Sequence, residues 1–108
     1  MLDVPTTELF VESRWNTRQF YVYIVSNNSM TLYTGVTNDL LHRLEAHKLG
    51  EGSQFTMRYH FDRLVYYESF NLIVDAIARE KQIKGMSRAK KIVLIKKTNP
   101  TWRDLSSS

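Results

Sequence analysis

The chain has 108 residues, enough for one domain with its own core, and its 43% hydrophobic and 24% charged residues are ordinary for a soluble globular protein. The absence of cysteine excludes disulfides, thiolate metal sites and a cysteine nucleophile. No apolar run approaches the roughly 18 residues of a membrane span, and acids in MLDVPTTELF stand where a signal peptide carries positive charge, so a cytoplasmic location is expected. The net charge of +4 is unevenly placed: from Arg79 to Arg103 nine basic residues stand against one acid, Glu80, which leaves the rest of the chain at −4. Such asymmetry suits a polyanionic partner, nucleic acid first, although a solvated lysine-rich helix accounts for it equally well.

Residues 1–18 show no clear period and read as an extension outside the core fold. From Gln19 to Thr37, two apolar runs flank the polar turn Ser26-Asn27-Asn28-Ser29, which predicts a β-hairpin. Alternation puts Phe20, Val22, Ile24, Leu32 and Val36 on one face and Tyr21, Tyr23, Tyr33 and Gly35 on the other. With the turn centred on Asn28, Tyr23 opposes Tyr33. A tyrosine face is by itself an ordinary strand feature.

Asn38 to Gly50 predicts a helix capped by Asn38 or Thr37, buried along Leu40, Leu41, Leu44 and Leu49, and stopped at Gly50. Arg43 and His47, four apart, project from the same side. Glu51 to His60 reads as a loop, with no defined role for Arg58 or His60, and Asp62 to Phe70 as a third strand with Leu64, Tyr66 and Glu68 on one side. The helix from Leu72 to Lys84 has Ile73, Ala76, Ile77 and Ile83 on its apolar face, and Glu80 falls on or beside that face. A carboxylate placed inward is costly unless it is paired or holds a metal. A salt bridge to Lys84 or Arg43 is the plain account, a metal ligand the functional one.

Gly85 ends that helix, and Ser87 can cap another that runs to about Thr98, buried through Ile92, Val93 and Ile95 and stopped by Asn99-Pro100. The Ser87-Arg88 cap offers free N–H groups beside positive charge, which suits a phosphate. Trp102 and Leu105 are expected to fold back, and Ser106–Ser108 to fray. The expected fold is therefore α+β: a small mixed or antiparallel three-stranded sheet, in the order hairpin, helix, strand, helix, helix, flanked by helices.

Tyr21-Val22-Tyr23, then Tyr33-Thr34-Gly35, the Arg43/His47 helix and one helical Glu80, in this order, resemble the GIY-YIG nuclease family, in particular its small single-domain members. The likeness spans about Phe20 to Leu105, and the nuclease-like domain is placed at 19–105. The sequence departs from the pattern at Tyr21 for the leading Gly, Val22 for Ile and Thr34 for Ile. The resemblance implies a DNA endonuclease of the kind used in repair or recombination, hydrolysing phosphodiesters with one divalent cation, Mg²⁺ or Mn²⁺. It places catalysis on Tyr23, Tyr33, Arg43, His47 and Glu80, with Glu80 as metal ligand. Tyr23 is taken as the general base and Arg43 as the phosphate clamp, although Tyr23 and Tyr33 could exchange roles. Gly35, Lys84, Ser87, Arg88, Lys90, Lys91 and Asn99 are the candidate nucleic-acid contacts, Asn99 on position alone.

Selection of DNA by structure rather than sequence is expected, with a homodimer or partner protein supplying further specificity. The alternative is a nucleic-acid-binding or interaction module that keeps the fold with little catalysis. A plain structural domain leaves the basic segment and Glu80 without an account.

Overall fold

Strand β1 (Phe20–Ser26) lies at the centre of a three-stranded antiparallel sheet, between β2 (Leu32–Thr37) and β3 (Arg63–Phe70). Its central place follows from composition: Val22 to Val25 are all buried, as a strand covered on both faces must be. The computed structural model describes residues 19–50 and 60–106. The expected N-terminal extension, the loop up to Tyr59 with Arg58, and the last two residues of the serine tail lie outside the described residues. Ser106 itself is held, with its N–H and hydroxyl both donating to Asp104 Oδ1.

The hairpin register differs from the expected one by a shift of the turn. Asn27 Oδ1 accepts from the N–H groups of both Ser29 and Thr31, and Met30 adopts a left-handed φ of 63°. Met30 and Thr31 therefore belong to the turn, and β2 starts only at Leu32. Tyr23 pairs with Gly35, and Tyr33 with Val25. The two tyrosines stay on one face as diagonal neighbours, not as a directly opposed pair.

Strand β3 departs from simple alternation. The pairs Ile24–Tyr66 and Val25–Leu64 bracket a β-bulge at Val65. Leu64 thus packs on the tyrosine face, while Val65 and Tyr66 join the opposite core, so Leu64 and Tyr66 do not share a side as expected. Asn99 pins this bulge: its Nδ2 donates to Val65 O at 3.1 Å and Arg103 O at 2.9 Å, and its Oδ1 accepts from Arg103 N.

Three helices among the described residues cover the sheet. Helix α1 (Leu40–Lys48) is capped by Asp39, whose side chain accepts from His42 N, and gives way at Gly50, where φ is 77°. It brings Leu44 and His47 to the tyrosine face, where Tyr23, Val25, Phe61 and Leu64 form one core. Leu41 and Leu49, expected in the buried stripe, are exposed. Helix α2 (Ile73–Lys84) and helix α3 (Arg88–Thr98, capped by Ser87) cover the other face, where Ala76, Ile83 and Ile95 meet Val22 and Ile24. The exposed Val93, Ile73 and Ile77 correct the expected apolar faces. Two cores separated by one sheet narrow each helix's buried stripe to a few residues. Trp102 packs on the second core, and Leu105 N donates to Leu64 O, closing the C-terminus as expected.

Candidate active site

The site begins with a glycine opposite a tyrosine. A Cβ built on Gly35 would stand 2.5 Å from the Tyr23 hydroxyl and 2.6 Å from its Cζ. Gly35 therefore lets the Tyr23 ring lie across β2. Gly35, expected as a nucleic-acid contact, is buried, and the space beside it is filled by Tyr23.

Across that gap, the Tyr23 hydroxyl and His47 Nε2 share a hydrogen bond of 2.9 Å. The Tyr33 ring lies 6.4 Å from that of Tyr23 and 5.3 Å from the imidazole. Phe61 closes the cluster against both Tyr33 and His47. Nothing local in the sequence points to Phe61: it lies between the expected loop and the expected third strand, where no periodicity singles it out. Tyr23 and His47 are only 2% and 3% exposed. The α1 helix, expected to project Arg43 and His47 from the same side, buries His47 and leaves Arg43 exposed one turn earlier.

Burial governs the proton chemistry here. It raises the Tyr23 pKa well above its ordinary value, and the nearby Tyr33 and Glu80 push the same way against the pull of Arg43. His47 is lowered to about 4, first by burial and then by the positive charge of Arg43. The imidazole is thus neutral near pH 7, and its Nδ1 finds no partner among the described residues. Arg43 acts on both groups through space, and Glu80 acts on Tyr23. Side chains from β1, β2, α1 and α2 therefore share one electrostatic neighbourhood.

The Glu80 side chain is 13% exposed, and its Oε2 lies 2.7 Å from Lys84 Nζ. This ion pair raises the Lys84 pKa and gives the inward carboxylate the partner it requires. Among the described residues no three His, Asp or Glu side chains gather as a cation cage. A carboxylate oxygen still fits a hard cation that keeps most of its waters; Glu80 would be its one protein ligand, on release from Lys84.

The remaining candidates divide. Ser87 accepts from Lys90 N as the α3 cap, and Arg88 Nη2 donates to Met30 O at 2.7 Å, tying the cap to the hairpin turn. Lys90 is exposed and Lys91 lines a cleft with Arg88 beside that turn. Asn99 is 1% exposed and spends its amide on backbone groups, so its observed work is structural. Arg79, counted in the basic segment, is bound through its guanidinium to both oxygens of Glu68, to which Tyr66 also donates. Burial opposes ionisation of Glu68, yet these bonds hold its pKa below the ordinary range.

A hairpin with two tyrosines and a facing glycine, followed by a helix bearing Arg and His and a helix bearing one inward Glu, defines a GIY-YIG domain. The family signature described as the GIY-YIG catalytic domain matches residues 19–93, and the chain belongs to this family. Among its relatives is a UPF0213 protein of Pediococcus pentosaceus, 38% identical over 86 residues that cover 80% of this chain and 90% of that protein. A UPF0213 protein of Haloquadratum walsbyi is 41% identical over 71 residues, 66% of this chain and 80% of its own. The solution NMR structure of a UPF0213 protein from Bacillus halodurans superposes with a TM-score of 0.53 at 32% identity, covering 83% of this chain and 99% of that one. Membership implies nuclease-type chemistry on nucleic acid. No helix among the described residues is long and apolar enough to cross a membrane.

Proposed function

We propose that this protein is an endonuclease that hydrolyses phosphodiester bonds of DNA with one divalent cation, selecting its substrate by structure rather than sequence. The observation that carries this reading is the buried hydrogen bond between Tyr23 and a neutral His47, set between an exposed Arg43 and an inward Glu80. A tyrosine with a raised pKa is a poor source of free phenolate. It can still pass a proton: as Tyr23 takes a proton from the attacking water, its own moves to His47 Nε2. Burial leaves the imidazole unprotonated, so Nε2 can accept, but it also disfavours the imidazolium that results, so the transfer needs the charge of the bound phosphate to stabilise it. Arg43, exposed and planar, binds the phosphoryl oxygens and neutralises the charge that develops on them. Tyr33 positions the water beside Tyr23. Glu80 would hold Mg²⁺ or Mn²⁺, which supplies charge neutralisation at the phosphate and leaving oxygen.

The test is cleavage of branched, nicked and single-stranded DNA with Mg²⁺ or Mn²⁺. Glu80→Ala and Tyr23→Phe are each expected to lower the rate by at least about 100-fold while binding persists. Cleavage at the wild-type rate by either variant would remove that residue from the mechanism. One observation favours a second reading, a binding module without catalysis: Lys84 already neutralises Glu80. That reading expects DNA binding without metal-dependent cleavage.

A further inference from the structure

Beside Arg43 the surface opens into a cleft of about 260 Å³. Phe20 and Val36 of the sheet and Ile73 and Ile77 of α2 form its apolar walls, with Arg43 and Asn38 among its polar lining residues. Ile73 and Ile77 are 49% and 37% exposed, more than their place on the expected buried face of α2 allows. Ile77 lies one helical turn before Glu80, and Arg43 one turn before His47, so the cleft continues the site on both helices.

We propose that this cleft receives an unstacked nucleobase of the strand being cut, next to the phosphate held by Arg43. The inference rests on the nuclease reading and specifies its substrate class: nucleic acid with an unpaired nucleotide at the cleavage site. Charge complementarity selects this occupant. A nucleotide has an anionic end and, a few bonds away, a flat ring system with apolar faces and polar edges, and the cleft offers a guanidinium and an asparagine beside isoleucine walls and one aromatic ring. Its volume falls just short of the roughly 300–1,000 Å³ of pockets for drug-sized ligands, which suits one small planar group. A base in an intact duplex must be unpaired and unstacked before it can enter, a cost that is least where the nucleotide is already single-stranded. Preference for single-stranded or junction-like DNA then follows without any base-specific contact.

The test separates base from phosphate. Binding of an oligothymidylate and of an abasic strand of the same length is measured by fluorescence anisotropy in EDTA, so neither metal nor cleavage enters. The wild type is expected to prefer the base-bearing strand by roughly tenfold. The neutral double variant Ile73→Gln/Ile77→Gln, which keeps good helix formers in α2, should bring that ratio close to one and leave affinity for the abasic strand unchanged. Circular dichroism checks its fold. Should it fail to fold, Ile73→Gln alone, at the more exposed position, should lower the ratio in part. A ratio unchanged in the folded variant overturns the inference while the nuclease reading stands. A wild-type dimer that the variant converts to monomers at an unchanged ratio assigns the patch to self-association and also overturns it. Failure of the wild type to bind either strand refutes both the inference and the nucleic-acid reading.

Discussion

At Gly35 and His47 single atoms decide the site. Replacing Gly35 with Ala forces a methyl into the Tyr23 ring, whose Cζ would lie 2.6 Å away. Such overpacking typically costs about 1–3 kcal/mol. Gly35→Ala is therefore expected to lower stability by that amount in urea unfolding and to displace the Tyr23 hydroxyl from His47, visible as a shift of the imidazole resonances. His47 gives a pH signature. Its folded pKa of about 4 lies below the ordinary 6.5, so the unfolded chain takes up the proton first. The stability associated with the neutral imidazole is fully present above pH 6.5 and is lost as pH falls toward 4, on the order of 3 kcal/mol in all. Unfolding midpoints followed between these limits should fall, and His47→Gln should flatten the fall. An equal slope in the variant would assign the loss to other groups.

Among the elements, the hairpin and α3 were legible from local chemistry: Asn-rich turn residues, a serine cap and a Gly between helices each act within a few residues. The register of the hairpin was not, because Asn27 captures two N–H groups and draws Met30 and Thr31 into the turn. The bulge in β3 was equally hidden, since its support comes from Asn99, thirty-four residues later in sequence. The basic character of α3 was readable in number and not in availability: Arg88 is committed to the hairpin turn, which leaves Lys90 and Lys91 as the nearer charges for a polyanion. Lys90→Ala/Lys91→Ala should weaken duplex binding and reduce the slope of log affinity against log salt by up to about 1.8, at about 0.9 for each phosphate no longer neutralised. An unchanged slope would show that these lysines are only solvated.

For the molecule as a whole, two cores on opposite faces of one thin sheet support a site that reaches around the β2 edge, from α1 to α2. Glu80 is already paired with Lys84 and, among the described residues, sits in no cage, so the proposed cation is not expected to hold the fold together. EDTA is expected to stop cleavage while the melting temperature stays within about 1 °C, since a weakly bound ligand adds little by mass action. A drop of several degrees would point to a structural metal site.

By itself the sequence determined the order of the elements, the two faces of the hairpin and the spaced tyrosines, arginine, histidine and glutamate, because period-2 and helical patterns and motif spacing are written locally. Tertiary structure decided what those residues can do. His47 has the sequence context of a surface histidine and becomes a buried, neutral imidazole because the sheet, Tyr33 and Phe61 enclose it. Gly35 reads in sequence as a nucleic-acid contact and is the berth of Tyr23. The tyrosine face that reads as an ordinary strand surface is one wall of the candidate site, and desolvation, a property of the folded surroundings alone, sets the proton chemistry of Tyr23 and His47.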